Sequence, residues 1–317
     1  MDVSVMLPTG VPGVTGATVV EWARRADRGP YRAIGLPDRV AYANLDPLLA
    51  AAAAAAVTER VRLMTYVAVA GVRNPAVFAK EVATLAVLAP GRVTVGVGVG
   101  ARPADYDACG LPFSGRGRLL DRALETLIAL RAREHPEQGL GPDLGDVEIL
   151  VGGASPPALG RLVRYADGYA HGGVVAPIFA VESQMVRAAW AGAGRPGQPR
   201  LVASTWFASE ESGAAADRWL ESYMVQGGPP LPVRDTIKCG AAAVREAVGT
   251  FAAMGADEVL FFGCVDDVAE LDWLTGVLSD LPADLASLAP PDLEQRTAAA
   301  LAAFGPPPGA PAPAAAG

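Results

Sequence analysis

Cysteine and histidine are scarce in this 317-residue chain. The three cysteines, Cys109, Cys239 and Cys264, are odd in number and form no CxxC pair. That argues against a disulfide framework or a structural zinc site. The two histidines, His135 and His171, exclude a three-histidine metal centre, and no His-Glu-x-x-His motif occurs, so no metal is expected. Positive charge is in deficit: 26 Lys and Arg stand against 34 Asp and Glu, a net charge of −8. Neither nucleic acid nor an acidic membrane surface is therefore an expected partner. The N-terminus, MDVSVMLPTG, has no basic segment ahead of an apolar one, so no signal peptide is expected. The longest aliphatic run, Leu48 to Val57, is too short to span a bilayer. These absences describe a reduced, cytoplasmic protein.

What the chain has is apolar sequence, 51% of its residues, enough for a sizeable core. The clearest unit is Val61 to Gly100, which reads as strand, helix, strand. Apolar runs of strand type recur at Val3–Leu7, Ala33–Leu36, Val61–Val69, Val93–Val99, Val147–Val151, Gly168–His171, Arg200–Phe207 and Glu258–Phe262. Segments of helical period follow each of them. Asp46-Pro47 and Asn74-Pro75 each combine an N-cap residue with proline at the first helical position. Strand-helix alternation with strands apolar on both faces predicts a parallel sheet covered by helices. Eight such units predict a (β/α)8 TIM barrel over residues 1–281, with an open doubly wound sheet as the competing α/β architecture. Residues 282–317 read as a Pro/Ala-rich, solvated extension, with a short helix at Pro291–Phe304 and a disordered last dozen residues.

In such a barrel the chemistry sits where strands end. The strand ends include Asp38-Arg39, Tyr66 to Gly71 with Arg73-Asn74, Gly98 to Arg102, Gly152 to Ser155, and His171 to Gly173. Asn74 is read as a helix cap before a pocket residue. Arginine stays protonated, so Arg39 is no general acid or base; it can stabilise an anion, or simply pair with Asp38 on the surface. Gly152-Gly153-Ala154-Ser155 leads into a helix. It is either a tight turn or an anion site, at which glycines admit a phosphate and the helix N-terminus favours its charge. His171 is a neighbour of that turn or a satisfied core histidine. Gly96-Val97-Gly98-Val99-Gly100 resembles a dinucleotide fingerprint only superficially, because Pro103 and the loop to Pro112 replace the helix that the motif requires. Arg102, Arg116 and Arg118 are a solvated cluster or an anion-binding one.

Four stretches carry a family resemblance: LPDRVAYANLDPLLAAAAAAAVTERVRL, RNPAVFAKEVATL, GRVTVGVGVGARPADYDACGLPFSGRGRLLD and LVGGASPPALGRLVRYADGYA. In order and spacing, over about residues 1–280, they resemble the bacterial luciferase-like monooxygenases, which use reduced flavin or the deazaflavin F420. The resemblance implies a luciferase-like barrel and an oxidoreductase. It implies that Thr65-Tyr66-Val67 form a bulge with a cis Tyr66–Val67 bond against which the isoalloxazine ring rests. It implies a wall at Gly98 and Gly100, and a phosphate site at Gly152, Gly153, Ala154 and Ser155 with His171 and Gly172 beside it. Asp38, Arg39 and Tyr66 are the catalytic candidates. Two of them depart from the family pattern. A small residue usually stands where Tyr66 is, and Asp-His where Asp38-Arg39 is. The phenol can stack on the ring, fill part of the pocket or mark a lost cofactor site. Arg39 can serve a reduced flavin anion, its oxygen adduct or a substrate carboxylate.

The expectation is an enzyme that uses reduced FMN and oxygen to oxidise a small organic molecule with aromatic or aliphatic surface, with Tyr42, Tyr66, Tyr106 and Phe113 near the pocket. A separate flavin reductase and a homodimer are partners that the resemblance allows. F420-dependent hydride transfer is the alternative. A flavin-binding barrel without turnover, and a lyase or isomerase acting on a phosphorylated substrate, stand behind it.

Overall fold

The computed structural model describes residues 1–134, 139–172, 175–225 and 236–304. His135, Gly173, the break at 226–233 and the expected disordered end lie outside them. The strands are β1 (Asp2–Met6), β2 (Ala33–Leu36), β3 (Arg62–Ala68), β4 (Val93–Val97), β5 (Glu148–Gly152), β6 (Gly168–Ala170), β7 (Arg200–Ala208), β8 (Ile237–Cys239) and β9 (Glu258–Gly263). All pairings are parallel, in the order β1 to β7, then β9 and back to β1. This is a closed eight-stranded (β/α)8 barrel. β8 stands outside the closure and pairs only with the end of β7, through Trp206↔Ile237 to Ala208↔Cys239. Three residues, Ile237-Lys238-Cys239, are too short to produce a readable alternation, so β8 had no signal in the sequence.

The helices are α1 (Gly16–Arg28), α2 (Pro47–Ala55), α3 (Pro75–Leu88), α4 (Pro103–Asp107), α5 (Arg116–Arg131), α6 (Pro156–Tyr165), α7 (Ala176–Gly192), α8 (Gly213–Val225), α9 (Ala241–Ala253), α10 (Val268–Ser279) and α11 (Leu293–Phe304). Asp46 accepts the Leu48 and Leu49 amides at the start of α2. Asn74 accepts those of Ala76 and Val77 at the start of α3. Both caps act as the sequence predicts, and each is worth about 1 kcal/mol.

Alternate strand residues divide into two cores. Val5, Ile34, Leu63, Val95, Tyr169 and Phe261 face the helices, where Trp22, Phe78, Phe179 and Phe251 meet them. Met6, Met64, Tyr66, Leu150, Ala170, Val202, Leu260 and Phe262 fill the barrel. Two-sided burial is why the strands read as unbroken apolar runs. The N-terminal end of the barrel is closed by charge: Arg200 bridges Glu148 and the fully buried Glu258. Residues 285–296, within the extension, touch the helix layer. A methyl on Gly249 of α9 would fall 2.3 Å from the Leu288 carbonyl carbon, and Arg296 of α11 pairs with Glu246 at 2.9 Å. Leu285 and Leu288 pack onto the core, a contact that proline and alanine content conceals. Among the described residues no helix is long and apolar enough to cross a membrane.

Candidate active site

At the C-terminal end of the barrel, β3 loses register with β4 between Thr65 and Ala68. The Tyr66–Val67 peptide there is cis, at the bond that the family resemblance implied. The facing strand is glycine-rich because this bulge lies against it. A methyl on Gly96 would sit 2.4 Å from the Thr65 carbonyl oxygen. Methyls on Gly98 and Gly100 would sit 2.9 Å and 2.8 Å from Val67 Cγ2 and Val69 Cγ1. A contact under 3 Å forces a shift, so the protein's own bulge explains these glycines. Tyr66 points into the barrel. Its hydroxyl donates to the carbonyls of His171 (2.7 Å) and Val202 (3.0 Å), which ties β3 to β6 and β7. Burial pushes the phenol pKa far up, so the proton stays on oxygen.

Asp38 is committed in the same way. Its buried carboxylate accepts the Val69 amide at 2.8 Å and both ends of the Arg73 guanidinium, at 2.6 and 3.1 Å. Arg73 reaches on to Asp46 at 2.9 Å. One carboxylate thus holds the exit of the β3 bulge against the β2 loop and the start of α2. This bidentate, charge-assisted geometry is the strong kind.

Arg39 is held differently. Its side chain is 4% exposed and lies 3.4 Å from Asp105 Oδ2, but Nε and Nη1 have no hydrogen-bond partner. The other oxygen of Asp105 accepts the amides of Val40 and Ala41. The Arg39 guanidinium lies over the rings of Tyr42 (5.1 Å) and Tyr223 (5.7 Å). Arg102, from the loop after β4, lies over the same Tyr223 ring at 5.1 Å and donates to its carbonyl at 3.3 Å. Its Nε is also buried without a partner. Burial, together with the Arg39 charge, loosens the hold of Arg102 on its proton.

These groups border one cavity of about 350 Å³, lined by Asp38, Arg39, Tyr66, Val67, Gly100, Arg102, Gly172 and the aromatic side chains Trp206, Tyr223 and Phe262, among others. That volume is at the small end of ligand sites. Its aromatic wall is continuous. Trp206 lies 4.3 Å from Phe262 and 5.5 Å from Trp219, and Trp219 stacks on Tyr223 at 5.1 Å. Trp219 and Tyr223 both come from α8, which therefore brings aromatic bulk into the barrel mouth.

Of the candidates from the sequence, Asp38, Arg39, Tyr66, Val67, Gly100 and Gly172 meet at this cavity. Thr65 is turned into the sheet, donating to the Gly96 carbonyl at 2.8 Å. Gly98 and Gly152 back the bulge through Val67. Gly153 takes φ = +90° and Ser155 precedes α6. That helix begins Pro156-Pro157, so its first two positions carry no N–H. The amides available to an anion at this turn are those of Gly153, Ala154 and Ser155. The His171 ring is on the helix side of β6. Its Nδ1 lies 2.7 Å from Glu182 and its ring 5.4 Å from Phe179; only its carbonyl reaches Tyr66. Arg116 lies on the Phe113 ring at 4.1 Å, apart from Arg102. Tyr106, fully buried, donates to the Val99 carbonyl at 2.6 Å and does not line the cavity. Asp105, Trp206, Tyr223 and Phe262 were not singled out in the sequence, and Arg73 was named at a strand end without a role. The sequence signals available were the position of Arg73 beside a capped helix start and the Trp-x3-Tyr spacing of the α8 aromatics.

A model of the family described as luciferase-like monooxygenase matches residues 1–258. A protein of Mycobacterium tuberculosis is 30% identical over 184 residues, 48% of this chain and 64% of its own. The chain thus spans less than two thirds of that relative. Two solved structures share the fold. One is a coenzyme F420-dependent tetrahydromethanopterin reductase from Methanopyrus kandleri, with TM-score 0.71 and 16% identity over 86% of this chain and 97% of that one. The other is the oxygenating component of a 3,6-diketocamphane monooxygenase from Pseudomonas putida in complex with FMN, with TM-score 0.67 and 18% identity over 88% and 97%.

Proposed function

The chain belongs to the luciferase-like monooxygenase family, and from that premise we propose that it is an oxidoreductase which uses reduced FMN and oxygen to oxidise a small organic molecule in the cavity over Tyr66 and Val67. The observation that carries the reading is that cavity. It lies at the C-terminal mouth of the barrel, with an aromatic wall and a few convergent polar groups, the usual composition of a cofactor and substrate site.

The residues present fit a flavin. Val67, with Gly98 and Gly152 behind it, offers an apolar floor. The unpartnered Arg39 and Arg102 donors suit a site that holds negative charge. Reduced FMN, when bound, supplies the electrons for oxygen activation. Tyr66, pinned by two carbonyls, fixes the floor. Asp38, through Arg73 and the Val69 amide, holds the bulge in place. The Gly153–Ser155 amides and Gly172 are the candidate phosphate contacts. Trp206, Tyr223 and Phe262 exclude water from the reacting face. The M. kandleri neighbour makes F420 the second candidate cofactor. The commitment of the Asp38 and Tyr66 side chains to structural bonds favours flavin, because hydride transfer to a carbonyl needs a proton donor beside it.

The test is turnover. The protein is supplied with FMN, NADH and an unrelated flavin reductase, under air and under argon, with cyclohexanone and benzaldehyde as probes. Oxygen-dependent product supports the reading. Oxygen-independent, substrate-dependent change in F420 absorbance with the same probes or their alcohols replaces it with the F420 reading. Failure to bind either cofactor overturns both.

A further inference from the structure

The cavity carries one more piece of information, in its charged groups. Its lining includes two arginines, Arg39 and Arg102, and two carboxylates, Asp38 and Asp105. Asp38 is neutralised from outside by Arg73. Asp105 is shared between Arg39, at 3.4 Å, and two backbone amides at 2.8 and 2.9 Å. Arg73 also pairs with Asp46, so three guanidiniums stand with three carboxylates and the charges balance; the shortfall is in acceptors. Three buried N–H positions, Arg39 Nε and Nη1 and Arg102 Nε, have no acceptor. A buried N–H without an acceptor is costly, and an arriving anion removes that cost. Both guanidiniums are also held by aromatic faces, at 5.1 to 5.7 Å from ring centroids, beside the Tyr223 carbonyl for Arg102 and Asp105 for Arg39. Their donors therefore stay available while their positions are set.

We propose that the substrate of this site is a small organic carboxylate, its carboxylate group held by Arg39 and Arg102 and its apolar body against Tyr223, Trp206 and Phe262. This rests on the reading of the cavity as the substrate side of a flavin site. The planar fork of arginine matches a carboxylate in two-point contact, and the N–H positions without acceptors match its oxygens. The aromatic wall supplies the apolar contact that a bare inorganic anion would not use. A phosphate of the cofactor has the same anionic chemistry, and the experiment separates the two sources.

The full chain is titrated with benzoate and with benzamide, its neutral counterpart of the same shape, while the fluorescence of Trp206 and Trp219 is followed. FMN affinity is measured in parallel. Benzoate is expected to bind at least about tenfold tighter than benzamide, the scale of a charge-assisted pair. In Arg102→Met and Arg39→Met the preference is expected to fall to about twofold or less. Arg102 is the less buried of the two, so Arg102→Met carries the test if Arg39→Met does not fold. Arg39→Lys, which keeps the charge and loses the fork, is expected to retain part of the preference. Equal binding of benzoate and benzamide overturns the proposal. So does a preference that survives both Met variants. Loss of FMN affinity in those variants, with inorganic phosphate displacing benzoate, assigns the arginines to the cofactor phosphate and also overturns it. A wild-type protein that prefers benzoate but binds neither FMN nor F420 overturns the flavin reading and leaves the carboxylate site standing.

Discussion

Replacing Asp38 separates two roles that a carboxylate at a strand end can play. In the structure its carboxylate makes three contacts, with the Val69 amide and both ends of the Arg73 fork, and its side chain is fully buried. Asp38→Ala leaves Arg73 with Asp46, a residue 40% exposed on its side chain, and a long contact of 3.4 Å to the Val69 carbonyl, and leaves the Val69 amide without its acceptor. Removing one partner of a buried pair costs about 3–5 kcal/mol. The remaining Asp46 contact places the expected loss near the lower figure, about 3 kcal/mol. An unfolding entropy of about 2.1 cal/mol/K per residue gives about 0.67 kcal/mol/K over 317 residues. The Tm is then expected to fall by roughly 4–5 °C. Urea unfolding measures the free energy and a thermal melt the temperature. Asp38→Ala/Arg73→Met removes the stranded cation and is expected to recover more than half of the loss, because an ion pair replaced by apolar groups is often close to neutral. Cofactor affinity should fall with the single variant, while the pH profile of any turnover keeps its shape. A variant as stable as wild type that loses one limb of the pH profile would refute the reasoning and make Asp38 a proton-transfer group.

Tyr66→Phe removes the donor to the His171 and Val202 carbonyls and is expected to cost about 1–2 kcal/mol in denaturant unfolding. Gly96→Ala drives a methyl to 2.4 Å from a backbone oxygen and is expected to destabilise by about 1–3 kcal/mol. Gly160→Ala, on the exposed side of α6 with nothing within 4 Å, is expected to stabilise by about 0.5–1 kcal/mol in the same assay. Burial raises the Glu258 carboxyl above its ordinary 4.5 against the pull of Arg200. A raised acid pKa in the folded state contributes stability that is present below pH 4.5 and lost as pH rises through the folded value. Glu258→Gln is therefore expected to be at least as stable as wild type at neutral pH and to lose that relative gain below pH 4.5.

The scaffold was legible because its signals are local or periodic. Strands buried on both faces give apolar runs whatever the register. Asp46-Pro47 and Asn74-Pro75 announce helix starts within two residues. The site was legible in part, through its place at the strand ends and through the resemblance. What could not be read were partners set by closure of the barrel. Asp38 and Arg73 are 35 residues apart, and Asp105 is 65 from the Val40 amide it accepts. The resemblance implies Gly98 and Gly100 as a wall for the ring; the structure adds a nearer cause, since Val67 and Val69 of the β3 exit already lie against them. His171, at a strand end, points to the helix layer because of where β6 begins its alternation, a matter of one residue. Tyr223 reaches the cavity through the placement of α8 over the barrel mouth, which no local pattern specifies.

The central claim is that the cavity over Tyr66 and Val67 binds a flavin-type cofactor. Anaerobic titration of the full chain with reduced FMN, and separately with F420, tests it most directly, with the fluorescence of Trp206 and Trp219 reporting occupancy. Saturable binding of one cofactor per chain, reduced FMN the tighter, is the expected result. Binding of neither cofactor at concentrations far above micromolar would contradict it.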